Sequence, residues 1–328
     1  MKWMFKLLIM AAILWSGYWF VGAKAQKELF ATLLSNSRNT GWTAESQTLG
    51  VQGFPNRFDT TLTHLDIQDP TGQWGWQAEA FQIKALSYSP DHVILAWPGA
   101  QVFNTPAGRL TLNAQLLRAS LVLTPTPDLP LSRLQLEGAG LHLEAGAGWL
   151  AEIATLNAAL FQNDSTKTRY HLGIDATGIT PPARFTSRLG GGGNLPALIS
   201  HLHIAAQVDF DREINRLAFS TGQPPLPTGA EIEPSRIIWG GSTLEVSGRL
   251  TANPAGYLDG ILQLKAHNWQ PLFAVFLRAS QLGITEKLTL KRALDAASST
   301  GELALTLTFA NGETRIGPVR IGPAPAYP

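Results

Sequence analysis

His201 and His203 form the tightest histidine pair in the chain. At a spacing of two on a strand both rings face the same side, which is what a metal ion asks of imidazole ligands. A zinc site needs at least a third donor. Asp209 and Asp211 follow in sequence, but nothing fixes them beside the pair. The simpler reading puts both histidines on the wet face of a strand with Leu202 and Ile204 inward, so no metal site is assigned. Gly190 to Gly193 is glycine-rich, yet no Lys-Ser/Thr follows and no strand–loop–helix frame surrounds it. It reads as a loop and not as a phosphate cradle. Neither G-x-S-x-G nor H-E-x-x-H occurs. The carboxylates Asp66/Asp69 and Asp209/Asp211 are simpler as turn and strand-face residues. No catalytic residue and no cofactor follow from these patterns.

Tryptophan carries a different kind of signal. Trp74-Gly75-Trp76 puts two indoles on one strand face. Trp74, Trp76, Trp97 and Trp239 are the candidates for an apolar groove or a membrane-facing surface, with core packing as the bland alternative for each. Trp42, Trp149 and Trp269 offer the same choice.

The elements that would position these residues begin with an address. Lys2 and Lys6 precede an uncharged run from Leu7 to Ala23, LLIMAAILWSGYWFVGA, and Lys24 is the next charge. Seventeen residues at helical rise span roughly 26 Å, just enough for a thin bilayer core. The lysines favour a cytoplasmic N-terminus, and Trp3 at one end with Tyr18 and Trp19 at the other are placed as an interfacial belt. The rival is a cleaved signal peptide, since Ala23-Lys24-Ala25 is an A-x-A-like site. The run exceeds the usual h-region, and Gln26 to Leu34 continues as a helix, so a retained anchor is favoured. Both readings export the remaining chain.

Composition narrows the partners. Lys plus Arg is 25 and Asp plus Glu is 24. No basic run is present, so nucleic acid has no electrostatic footprint here. The chain has no cysteine, which rules out disulfides, thiolate chemistry and cysteine metal cages. Charged residues are only 15%, while Gly (31) and Pro (21) punctuate the sequence. The pattern is one of many short elements joined by turns.

Alternation of period two dominates after the first helix. Phe58 to Ile67 alternates and then slips by one residue after His64, which predicts a bulge or a two-sided strand. Leu131 to Glu144, His201 to Phe210, Arg236 to Trp239, Leu244 to Leu250 and Gly256 to His267 read as strands with one apolar face. Trp149 to Phe161 is ambiguous between a helix and two strands. Helices are predicted over Pro271 to Gln281 and, capped by Thr285, over Glu286 to Ala297. Glu302 to Ala310 alternates cleanly, and Asn311-Gly312 is the strongest short hairpin signal. The predicted organisation is an anchor over 1–24, a first β-rich half over 25–180, a Pro/Gly-rich linker or loop over 181–197, and a second β-rich half with two helices over 198–328.

Gly53-Phe54-Pro55-Asn56-Arg57-Phe58-Asp59 after an anchor helix, the Trp97-Pro98-Gly99 end of His92 to Gly99, and the C-terminal Asn311-Gly312, Gly317-Pro318 and Ile321-Gly322-Pro323-Ala324-Pro325 together resemble the proteobacterial domain-of-unknown-function family 2125. The family brings no known reaction. More distantly, Leu244 to Leu264 is similar to AsmA-like envelope proteins. That resemblance implies curved antiparallel sheets with an apolar concave face and a role in lipid handling. The chain is far too short to bridge two membranes as the longest of those do. The expectation is a mainly β protein after an N-terminal transmembrane helix, in the inner membrane and facing the periplasm. Its partners would be the membrane, and lipid or another envelope protein. A protein-interaction scaffold is the alternative, and an enzyme comes third.

Overall fold

A computed structural model describes residues 2–146, 149–182, 195–216, 218, 224–279, 283–298 and 301–326. The first element is α1 (Lys2–Asn39), one continuous helix. It runs unbroken through the Ser35-Asn36-Ser37 segment. The Ser37 hydroxyl bonds back to the Leu33 carbonyl at 3.0 Å, and the helix ends only where Gly41 takes φ +86°.

The chain divides into two compact units, Met1–Pro125 with Leu134–Gly148, and Thr126–Arg133 with Trp149–Pro328. This division falls elsewhere than the Pro/Gly-rich stretch 181–197, most of which (183–194) lies outside the described residues, Gly190 to Gly193 included. The first unit carries α1 and β1 (Thr43–Glu45), β2 (Thr48–Gln52), β3 (Arg57–Gln68), β4 (Gly75–Leu86), β5 (Ser89–Ala96), β6 (Gln101–Thr105), β7 (Gly108–Asn113), β8 (Leu116–Leu123) and most of β9 (Leu131–Ala145). All pairings are antiparallel, with β1 and β2 both on one edge of β3, β4 on its other edge, and β5 and β6 both on β4.

The slip in β3 is real. Phe58, Thr60 and Leu62 are buried, His64 is exposed at φ +48°, and Leu65 is buried again. One residue in left-handed backbone shifts the apolar phase without changing the register against β4, where Thr63 faces Ala80 and Leu65 faces Ala78. Leu62, Leu65 and Ala78 form a core with Leu34, Trp76 and Phe81 packed against it.

The second unit is an antiparallel meander. Its strands are β10 (Trp149–Gln162), β11 (Arg169–Thr180), β12 (Ile199–Phe210), β13 (Pro227–Trp239), β14 (Ser242–Ala252), β15 (Leu258–His267), β16 (Glu302–Ala310), β17 (Glu313–Ile316) and β18 (Val319–Pro323). Each pairs with the next in sequence. The ambiguous stretch from Trp149 is thus one long strand, because its backbone groups are claimed by β11 along almost the whole length. Between β15 and β16 stand α2 (Gln270–Ala279) and α3 (Ile284–Ala297). Pro271 sits in the first turn of α2, where a missing N–H costs nothing. Helix α3 starts earlier than expected. The Lys287 N–H already donates to the Gly283 carbonyl at 3.0 Å, so Thr285 lies inside the first turn and is not the cap.

Candidate functional site

The clean alternation of β16 sets up the site. Leu303 and Phe309 are buried and Leu305 and Leu307 half-buried, while Ala304 and Thr306 are exposed. Across the ladder Leu305 faces Leu264, and Leu303 faces Ala266. Leu307 faces Ile316 on the other side, after a two-residue turn in which Asn311 and Gly312 both take positive φ, +54° and +73°. Those values belong to the type I′ turn that Asn-Gly favours. Residues of period two thus place one continuous apolar surface on β14–β17.

Helices α2 and α3 cover that surface incompletely. Trp269, Leu290, Leu294 and Leu303 form a core cluster, with Phe273 and Phe276 packed against it. Beside them remains an apolar cavity of about 200 Å³. Its wall comes from the sheet (Leu264, Leu305, Ile316 among others) and from Trp269, Phe273 and Phe276 of the helical segment, and every lining side chain is apolar. Trp269 is 2% exposed, and its Nε1–H is buried with no hydrogen-bond partner among the described residues. An unmet buried donor is costly, and few survive in native proteins.

The tryptophans singled out from sequence are not brought together. In the first unit, Trp74 is exposed in a turn. Trp76 is half-buried, packs edge-on against Phe81 and donates to the Gln101 Oε1 at 3.0 Å. Trp97 stacks on the same ring, with centroids 5.6 Å apart. In the second unit, Trp239 is 7% exposed and donates to the Pro196 carbonyl at 2.7 Å. None of the four lines the cavity. Trp269 does, and the sequence signal for it was weak: one indole at the mouth of a predicted helix. The Trp149 side chain lies outside the described residues.

The belt residues behave in three ways. Trp3 is 78% exposed on the free part of α1. Tyr18 is about half exposed, yet its hydroxyl donates to the Ser87 carbonyl at 2.6 Å. Trp19 is 6% exposed, packed on Phe58 and donating to the Arg57 carbonyl at 2.7 Å. The end of the apolar run is therefore bound to protein rather than free in its surroundings.

His201 and His203 do share a face of β12. Both rings reach one carboxylate on β11, Asp175, with His201 Nε2 at 2.8 Å and His203 Nδ1 at 3.3 Å from Oδ2. The hydrogen bond to His201 is the largest influence holding the Asp175 carboxyl below the usual carboxylate range, against the opposing effect of burial and with help from His203. Among the described residues no cluster of three or more His, Cys, Asp or Glu is arranged to hold a metal ion.

A family model described as "Uncharacterized protein conserved in bacteria (DUF2125)" matches residues 19–325. No curated protein and no solved structure matches the chain significantly.

Proposed function

The chain belongs to this uncharacterised bacterial family, and we propose that it is a membrane-anchored envelope protein that holds the apolar part of a lipid in the cavity under α2 and α3. The carrying observation is that cavity: about 200 Å³, walled by apolar side chains alone, on a sheet face whose alternation would otherwise build a closed core. An engineered cavity of about 150 Å³ in another protein stays dry and admits benzene. The volume here suits a segment of acyl chain better than a whole drug-sized ligand. Burial of a chain would contribute roughly 0.8 kcal/mol per methylene.

The anchor reading has support of its own. Helix α1 is long and apolar enough to cross a membrane. Cleavage after Ala25 would strip Trp19 and Ala23 from Phe58, exposing the core cluster they form. The matched family segment begins at Trp19, inside the apolar run. With Lys2 and Lys6 ahead of the span, the bulk would face the periplasm.

The test is extraction of the full chain in mild detergent, followed by mass spectrometry of bound lipid. We expect a lipid near one per chain, lost in Leu305→Trp, which fills the cavity, while the thermal midpoint holds. Wild-type protein free of lipid, isolated instead in a stable complex with another protein, would turn the reading to a scaffold. A mature chain beginning after Ala25 and free of membranes would remove the anchor.

A further inference from the structure

Between Lys6 and Trp15, the first described helix residue with a side-chain hydrogen bond to the β-rich part of its unit, lie only the residues Leu7 to Leu14. Eight residues rise about 12 Å, less than half of a bilayer core of roughly 27–30 Å. A helix that spans must therefore use Trp15 to Ala23 as well. One side of that stretch is bound to protein, while Phe20 and Val21 stay exposed. Trp15 Nε1 donates to the Pro55 carbonyl at 2.8 Å, Trp19 Nε1 to the Arg57 carbonyl at 2.7 Å, and Gln26 Nε2 to the Thr60 hydroxyl at 2.8 Å. Seven helical steps from Trp19 to Gln26 rise about 10 Å, and three extended steps from Arg57 to Thr60 cover about 10 Å. Helix and strand thus run side by side, and the turn before β3 lies deepest along the span.

We infer that this end of the first unit, the Gly53–Asn56 turn with the neighbouring Tyr88, is immersed in the membrane beside α1. The inference rests on the anchor reading and adds to it. Phe54 is 52% and Tyr88 65% exposed, and Phe54 stacks on Phe20, itself 63% exposed, with centroids 5.7 Å apart. Gly53 to Asn56 carries no charge, and Arg57, the first that follows, is paired with Asp59 at 3.0 Å.

Backbone outside a helix or sheet tolerates lipid depth only when its polar groups are satisfied within the protein. Here five carbonyls at this end are met within the protein. The Gly53 carbonyl accepts from Arg57 N–H at 2.8 Å and the Asn56 carbonyl from Ser87 N–H at 3.0 Å. The carbonyls of Pro55, Arg57 and Ser87 each accept from an aromatic donor on α1, namely Trp15, Trp19 and Tyr18. Three amphipathic rings of the helix thus cap the turns. In water those carbonyls would need no such caps.

The absence of native cysteine makes the test direct. Full-length chain carrying Phe54→Cys, Tyr88→Cys, Ile13→Cys or Gln73→Cys is reconstituted in phosphatidylcholine/phosphatidylglycerol vesicles and labelled with an environment-sensitive fluorophore. Ile13 reports the free part of the helix, and Gln73 the turn at the far end of β3. We expect blue-shifted emission and quenching by lipid-borne nitroxides at positions 13, 54 and 88, with an aqueous signal at 73. An aqueous signal at 54 and 88 with 13 in lipid would overturn the inference and leave the anchor standing. An aqueous signal at 13 would sink both. Shielding of 54 in native membranes but not in these protein-free vesicles would assign the turn to a protein partner and overturn the inference equally.

Discussion

Gly22 faces Phe58 so closely that a Cβ on the glycine would stand 2.5 Å from the Phe58 Cζ. The helix and β3 meet there without a spacer. Phe58 is 7% exposed and stacked on Trp19, so its ring has no free direction to swing. Any side chain at position 22 must push α1 off the sheet edge or force Phe58 from its site.

Gly22→Val should therefore cost about 1–3 kcal/mol through overpacking. Gly17→Val is the matched control, because nothing stands within 4 Å of a Cβ at that position. Both place a β-branched residue in the same helix. Thermal unfolding of the full chain in detergent, with protease sensitivity of α1 beyond Ala23, reads the difference. Equal midpoints for the two variants would mean that the helix does not dock as described.

Leu305→Asp and Thr306→Asp probe opposite faces of one strand. Leu305 lines the cavity opposite Leu264, where none of the described lining side chains offers a carboxylate a charged partner. Thr306 is exposed and donates to the Gln263 Oε1 at 3.0 Å. The first change should cost several kcal/mol. The second should stay near the 0.5 kcal/mol of ordinary surface substitutions. Denaturant midpoints measure both. Similar losses would show that the far face is covered too, and a larger loss at 306 would invert the assignment.

That strand was the most legible part of the chain, for a physical reason. In β16 the period of two, the turn chemistry of Asn311-Gly312 and the partner strand all point to one register, so local and long-range terms agree. The slip at His64 was legible in the same way, since burial must follow one face. Trp149 to Gln162 was not, because its apolar run satisfies helix and strand alike and only pairing with β11 decides. The start of α3 was misread by local capping rules, as Gly283 already accepts the first helical bond. The cavity itself could not be read. Leu303, Leu305 and Leu307 were evident as an apolar face, but whether Phe273 and Phe276 close over it depends on how α2 lies, which no spacing encodes. The Trp19 contact could not be read for a related reason, since an indole suits a membrane interface and a backbone carbonyl equally well.

Asp175 ties β11 to the histidines of β12, and its depressed pKa gives a signed expectation. The folded value lies below the unfolded one of about 3.9, chiefly through the His201 hydrogen bond. Its stabilising contribution is complete above that unfolded value and is lost as pH falls through the folded one. The carboxylate is 44% exposed, so screening limits the effect to about 0.2–1 kcal/mol. Asp175→Asn should be slightly less stable than wild type at neutral pH, and the two should converge in acid. Urea titrations from neutral pH down to about 3 would show this. A gap that widens in acid would contradict it.

Tyr170 is fully buried, at 0% exposure, edge-on to Phe210. Its hydroxyl accepts the Ile214 N–H at 3.2 Å. Burial pushes the phenol above its ordinary value, the Ile214 bond works against this, and the Glu213 charge adds to it. In the unfolded chain the group ionises near pH 10. Above that pH the unfolded state sheds a proton that the folded state keeps, so stability falls as pH rises. Tyr170→Phe keeps the shape of the ring but leaves the Ile214 N–H without its acceptor. It should therefore lose about 1–3 kcal/mol at neutral pH and decline less steeply than wild type into alkali. Urea unfolding of both proteins at neutral pH and above pH ~10 separates the two effects. A Tyr170→Phe variant as stable as wild type at neutral pH would mean that the Ile214 N–H finds another acceptor. An alkaline slope unchanged by the substitution would mean that another group governs the decline.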